Sequence, residues 1–170
     1  QLTSGAWNRR KLGRYRDPQR FGLDLIKEIR RRVGPKYPIM YRIDLSHALN
    51  ETYGQTMFET DMKKFVNGRT VEQTLDYMKN LVKAGVDMFD VDLGCYDNWW
   101  LAHMPNAMPP ACFAAVSRYV KEAFARDGVL SNAGMPVPIV EVGKLNYPDT
   151  AEQVLRDGSC LLYTSPSPRD

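Results

Sequence analysis

The stretch "VDMFDVDLGCYDNWWLAHMP", Val86–Pro105, runs from an apolar segment with acids at Asp90 and Asp92 into a dense group of aromatic and hydrogen-bonding side chains. Tyr96 and Asp97 come directly after the apolar run. Trp99 and Trp100 are neighbours, so in an extended segment they point opposite ways, one packing and the other free to line a pocket. Arg42 lies in a second apolar run, and two readings of it coexist. It is an ion-pair partner for Asp90, Asp92 or Glu141, or it is a contact for an anionic ligand. Gly143-Lys144 ends a third run just before a helix-like stretch, where exposed N–H groups suit a phosphate; a glycine there also serves simply to turn the chain. His47 and His103 show neither HxH nor HxxxH spacing, so each reads first as a plain loop histidine, and no metal site is expected. Ser46, Ser117 and the cysteines lack a nucleophile-elbow context, so no hydrolase triad is indicated. Cys95, Cys112 and Cys160 form no CxxC, and a reduced, cytoplasmic setting is expected.

These residues need elements to hold them. Asp17-Pro18 predicts a helix start, with Phe21, Leu25, Ile29 and Val33 at helical spacing and Gly34-Pro35 as the stop. "YPIMYRIDL" predicts a strand, and Ser46–Arg69 is polar and rich in turn residues. Thr70 with Gln73 makes a capping box ahead of Val71, Leu75, Met78 and Val82, and Gly85 ends that helix. "DMFDVDL" is the second strand. Pro109-Pro110 are expected to open a helix carrying Phe113, Val116, Val120 and Phe124. "VPIVEVG" is the third strand and "YPDTAEQVLRDG" a short fourth helix.

Strands alternating with helices imply a parallel sheet. Period two places Met40, Arg42 and Asp44 on one face, Asp90 and Asp92 on one face against Phe89, Val91 and Leu93, and Glu141 with Gly143 against Val140 and Val142. One apolar face and one charged face per strand favour part of a (β/α)8 barrel, whose mouth gathers functional groups, over an open doubly wound sheet. No GxGxxG follows any strand, which weakens a dinucleotide-binding sheet further. A whole barrel takes roughly 250 residues, so the fold class expected is α/β, a fragment of about half to two-thirds of a TIM barrel.

The bulk numbers agree with one globular domain: 170 residues, 44% hydrophobic and 25% charged. The net charge of +3 is too mild to indicate nucleic-acid binding, and no apolar run has the ~18–20 residues of a membrane span. The end, "CLLYTSPSPRD", back-translates in frame to a close match of a transposase mosaic-end sequencing adapter. Residues 159–170 are therefore expected to be a non-native tail without packed contacts, and 1–158 the natural domain.

Three pieces together resemble the old yellow enzyme family. "NRRKLGRYRDPQRFGLDLIKEIRRRVGPKYPIMYRIDL" is similar to that family's N-x-R…R-F-x-L-E-x-I-x-x-I-R-x-x-V-G…R-x-S. "GKLNYPDTAEQVLRDG" is similar to its G-x-I-x-x-P-x-x-A-E-x-x-L-x-x-G. "GCYDNWWLAHMPNAMPPACF" is most similar to the branch with 2,4-dienoyl-CoA reductase and trimethylamine dehydrogenase. The resemblance implies an FMN-binding barrel that takes hydride from NADH or NADPH and passes it to an activated alkene. Arg42 matches the arginine that faces the flavin N1/C2 region, and Gly143 and Lys144 the turn near the FMN phosphate. Tyr96 falls where those reductases carry a histidine acid, making it the candidate proton donor, with His103 next in line; Asp97, Trp99 and Trp100 belong to the substrate loop. A 4Fe-4S cluster and an FAD domain would lie further on in the larger branch. The Gly-Gly turn usual between Asn8 and Phe21 is absent here. The partner implied is a small-molecule substrate, with an oligomer possible. Amine oxidation of the trimethylamine dehydrogenase type, or a barrel kept only for binding, are the alternative readings.

Overall fold

The computed structural model describes residues 13–45, 69–94, 106–160 and 162–164. They belong to two compact units, one built from Gln1–Tyr37 and His47–Gly85, the other from Pro38–Ser46 and Val86–Asp170.

In the first unit a short 3-10 turn, Gly13–Arg16, leads into helix α1, Arg20–Val33. The helix begins later than Asp17-Pro18 predicts. Asp17 does act as a cap, its carboxylate accepting from the Gln19 N–H at 2.9 Å, but it closes a turn ahead of the helix. The buried residues of α1 are Gly22 and Ile26, while Leu25 and Val33 are exposed, so the buried stripe is rotated from the expected one. Helix α2, Val71–Ala84, carries the predicted capping box: Thr70 Oγ1 accepts from Gln73 N at 3.1 Å, and Gln73 Oε1 accepts from Thr70 N at 3.0 Å. Arg30 ties the unit together. Its guanidinium donates to the carbonyls of Gly85, Gly34 and Tyr37, closing the C-terminal ends of both helices, where orphan carbonyls need donors.

The second unit is a parallel sheet in the order β1-β2-β3-β4, with β1 Met40–Asp44, β2 Met88–Asp92, β3 Ile139–Val142 and β4 Leu162–Thr164. Helix α3, Ala114–Arg126, links β2 to β3, and α4, Pro148–Arg156, links β3 to β4. The start of α3 falls after the expected Pro109-Pro110. Ala111 sits at φ 52°, a left-handed conformation that interrupts a helix, and its N–H donates to the Lys144 carbonyl instead. Phe89 on β2 meets Phe124 on α3 edge-on, with ring centroids 5.9 Å apart. A smaller cluster joins Leu145, Ala151, Val154 and Cys160.

The register corrects one expectation. β1 pairs with β2 as Arg42↔Asp90 and Asp44↔Asp92, so those four residues share a face. β2 pairs with β3 as Asp90↔Val140 and Val91↔Glu141. Val140 and Val142 therefore lie on the Arg42 face, and Glu141 lies on the other face with Phe89 and Val91. Alternation within each strand is as expected; the phase between β2 and β3 is not.

The tail departs from expectation too. Cys160 is buried in the α4 cluster, and Leu162–Thr164 pair with β3. The reason is the open edge of β3, which pairs with backbone following α4 whatever its side chains are.

Candidate functional site

The site lies on the face of the second unit's sheet shared by β1 and β2. Arg42 is held from below by two acids on the neighbouring strand. Asp92 Oδ2 accepts from Arg42 Nε at 3.1 Å and also from Nη2, and Asp90 Oδ2 lies 3.9 Å from Nε. The other Asp92 oxygen accepts from the Leu93 N–H at 2.8 Å. Asp44, the last residue of β1, accepts from the Gly94 N–H at 3.0 Å, and the Leu45 N–H donates to the Asp92 carbonyl at 2.9 Å. The ends of the two strands are thus pinned by side chain as well as backbone.

Burial divides this cluster. The Asp90 and Asp92 residues are 6% and 8% exposed, whereas the Arg42 side chain is 61% exposed. Burial pushes both carboxyl groups above their ordinary range, and the Arg42 charge pulls them back. The hydrogen bond to Asp92 makes Arg42 hold its proton more firmly still. Asp90 Oδ1 is buried with no hydrogen-bond partner. The arrangement is a solvent-facing cation on a buried anionic base: it can meet an anion, but its charge is already balanced.

Gly143 and Lys144 have visible structural work. Gly143 has φ 145°, and a Cβ there would lie 2.7 Å from the Phe113 ring. The missing side chain lets the segment before α3 pack onto the end of β3. Lys144, at φ 49°, donates through Nζ to the carbonyls of Asn106, at 2.7 Å, and Met108. Its ammonium thus binds the chain leading to α3. Tyr96, Asp97, Trp99, Trp100 and His103 lie outside the described residues, as does His47.

Glu141 is placed apart from Arg42. It is fully buried, and neither carboxylate oxygen accepts a hydrogen bond. Phe113 packs at Gly143, just past β3, and Phe124 meets Phe89, the β2 neighbour of Ile139, so α3 lies over the face that carries Glu141, and its Ser117 and Val120 are buried. The Ser117 hydroxyl is likewise buried without a partner. Burial foremost, with Asp157 adding to it, raises Glu141 to about 7 against the pull of Arg118; the Cys160 thiol is near enough to lower it slightly without hydrogen-bonding geometry.

Two contributors carry roles that sequence reasoning did not assign. Asp44 holds the chain leaving β2 through the Gly94 amide, and its signal was present, an acid two residues beyond Arg42 on the same strand face. Arg118 hydrogen-bonds Ser159 and pairs with Asp157 at 3.2 Å, tying α3 to the end of α4, a contact that no local pattern announces. A surface hollow of about 520 Å³ lies in the first unit, beside Arg14 and Tyr15. Its acids Asp24 and Glu28 are paired with Arg20 and Arg31, and it contains none of the candidate site residues. Among the described residues no three His, Cys, Asp or Glu side chains gather as metal ligands, and no helix is long and apolar enough to cross a membrane.

No family model matches the chain. It is similar to a cinnamate reductase of Clostridium sporogenes, 22% identical over 139 residues, covering 82% of this chain and 19% of that protein. An NADH oxidase of Thermoanaerobacter brockii is 28% identical over 148 residues, covering 86% of this chain and 18% of the oxidase. A metal reductase of Desulforamulus reducens is 24% identical over 141 residues, covering 81% and 16%. The chain spans about a fifth of the length of these relatives. Among solved structures, 2-naphthoyl-CoA reductase in complex with 2-naphthoyl-CoA matches with a TM-score of 0.62 and 21% identity over 96% of this chain and 21% of that one, a likeness of fold.

Proposed function

We propose that this chain is part of the FMN-binding (β/α)8 barrel of an oxidoreductase of the old yellow enzyme type, which passes hydride from NADH or NADPH to an activated alkene such as an enoate or enoyl thioester. The observation that carries the reading is Arg42: a cation exposed on the face of a parallel strand and fixed there by Asp92 and Asp90. The relatives support the reading, since a cinnamate reductase and an NADH oxidase each align with more than four-fifths of this chain. The fold likeness to 2-naphthoyl-CoA reductase supports the same architecture.

The donor set suits the group. Arg42 Nε and Nη2 are held by Asp92, and Nη1 takes no partner among the described residues, so one edge of the guanidinium remains for the electron-rich N1/C2 edge of a flavin. When bound, FMN supplies the hydride chemistry; the chain's own part is to orient that edge and supply a proton. We assign the proton to the Tyr96 phenol, with His103 as the second candidate, and the substrate roof to Asp97, Trp99 and Trp100. Gly143 and Lys144 stand at the turn assigned to the phosphate. With Lys144 Nζ on the Asn106 and Met108 carbonyls, the contact there falls to backbone N–H groups. In this reading residues 1–158 are the barrel segment and 159–170 the adapter-derived tail. The remaining length of the relatives leaves room for the 4Fe-4S and FAD parts that the resemblance implies.

The test is the longer polypeptide that carries this chain. It should purify with FMN, bleach anaerobically on addition of NADH or NADPH, and regain colour with cinnamate or an enoyl-CoA but not with a saturated analogue. A folded protein that takes up no flavin would overturn the reading. Bleaching of the flavin by a methylated amine, with no recolouring by an alkene, would move it to the amine dehydrogenase class.

A further inference from the structure

We infer that Asp92, backed by Asp90, is the positioning residue for Arg42 and balances its charge, so that a bound flavin meets a compensated cation instead of a free one. The inference rests on the flavin reading above and deepens it. Three observations carry it. First, the register sets two acids beside one arginine on a single face, Arg42 opposite Asp90 and Asp44 opposite Asp92. Second, Asp92 Oδ2 takes both Nε and Nη2, an arrangement that fixes the guanidinium plane where a single bond would let it swing. Third, the acids are buried while the arginine is exposed, so the anions sit behind the cation as seen from solvent. A lone arginine at the N1/C2 edge favours the electron-rich reduced flavin strongly. With the Asp92 carboxylate directly behind it, that preference is weakened, and Arg42 serves geometry more than charge. The buried Asp90, with Oδ1 unpartnered, adds to the same balance.

The experiment is a spectroelectrochemical titration of FMN bound to the full-length polypeptide, comparing wild type with Asp92→Asn, Asp92→Glu and Asp90→Asn. Asp92→Asn keeps the shape and an acceptor oxygen but removes the charge. The reduced flavin should then bind about tenfold more tightly relative to the oxidised one, a rise of about 30 mV in the two-electron midpoint potential. Asp92→Glu restores the charge and should return the potential toward wild type, a response that a merely structural role would not give. If Asp92→Asn does not fold, Asp90→Asn reads the same effect, upward and smaller. An unchanged or lowered potential in a folded, FMN-loaded Asp92→Asn or Asp90→Asn protein overturns the inference and leaves the flavin reading intact. Failure of wild type to bind FMN overturns the flavin reading and this inference with it.

Discussion

Glu141 provides the most direct test of the structure, because its burial has a calculable consequence. The side chain is fully buried on the helix-covered face of β3 with no hydrogen bond to either oxygen, and burial lifts it from 4.5 to about 7. A carboxyl whose folded pKa is raised binds its proton more tightly in the folded state. Its contribution to stability is therefore complete below the unfolded value and is lost as pH rises through about 7. At 1.36 kcal/mol per pKa unit, the loss across that window is about 3 kcal/mol. Glu141→Gln keeps the shape and cannot ionise. Urea unfolding of the 170-residue chain between pH 5 and pH 9, with thiols reduced, should show wild type losing about 3 kcal/mol more than Glu141→Gln, with the divergence centred near neutrality. The groups facing Glu141 sharpen the comparison. Asp157 after α4, which pairs with Arg118 on α3, is held below the usual carboxylate range chiefly by its hydrogen bond from Ser159, and so does not titrate in this window. Cys160 is raised to about 11, and burial raises Cys112 as well, so neither thiol mimics the effect. Asp90 and Asp92 titrate identically in both proteins. Parallel pH–stability curves for the two would refute the burial of an ionisable Glu141 and, with it, the β2–β3 register.

Three further outcomes are expected. Arg42→Ala should weaken FMN binding in the full-length polypeptide while costing only about 1–2 kcal/mol of stability by denaturant titration, because the arginine is largely exposed and Asp92 retains the Leu93 amide; Arg42→Lys should recover stability but not flavin affinity, since the fork is lost. Tyr96→Phe should leave flavin reduction by NADH or NADPH near normal and slow reoxidation by the alkene roughly 10²–10⁴-fold in stopped-flow traces, and intact reoxidation would pass the role to His103. Gly143→Ala should lower stability by about 1–3 kcal/mol in thermal or urea melts, because a Cβ would press on Phe113 from a backbone at positive φ.

Much of the second unit is legible in the sequence. "MYRID", "MFDVD" and "IVEV" read as strands because short apolar runs with an alternating charged side have few other folds available. The Thr70–Gln73 capping box was legible because it is a contact between residues three apart, with no tertiary partner to overrule it. The pairing of Arg42 with acids on the neighbouring strand was foreseeable, since a cation and two carboxylates in adjacent strands need one another. Helix starts were less legible. Asp17-Pro18 and Pro109-Pro110 both signal a start, yet α1 and α3 begin later, where a turn and the left-handed Ala111 hand over to helical backbone.

What the chain alone could not decide was the phase between strands. Alternation along β3 settles that Glu141 opposes Val140 and Val142; it does not say which of the two faces Arg42. That is fixed by the Asp90↔Val140 pairing, and a slip of one residue would exchange the faces completely. The same holds for Arg42, whose exposure depends on what lies above the sheet and not on its place in the strand, and for Leu162–Thr164, which pair with β3 because it offered an unpaired edge. Local residue types determined the elements, the caps and the charges available; pairing across strands, which acts between residues far apart in the chain, determined which charges meet.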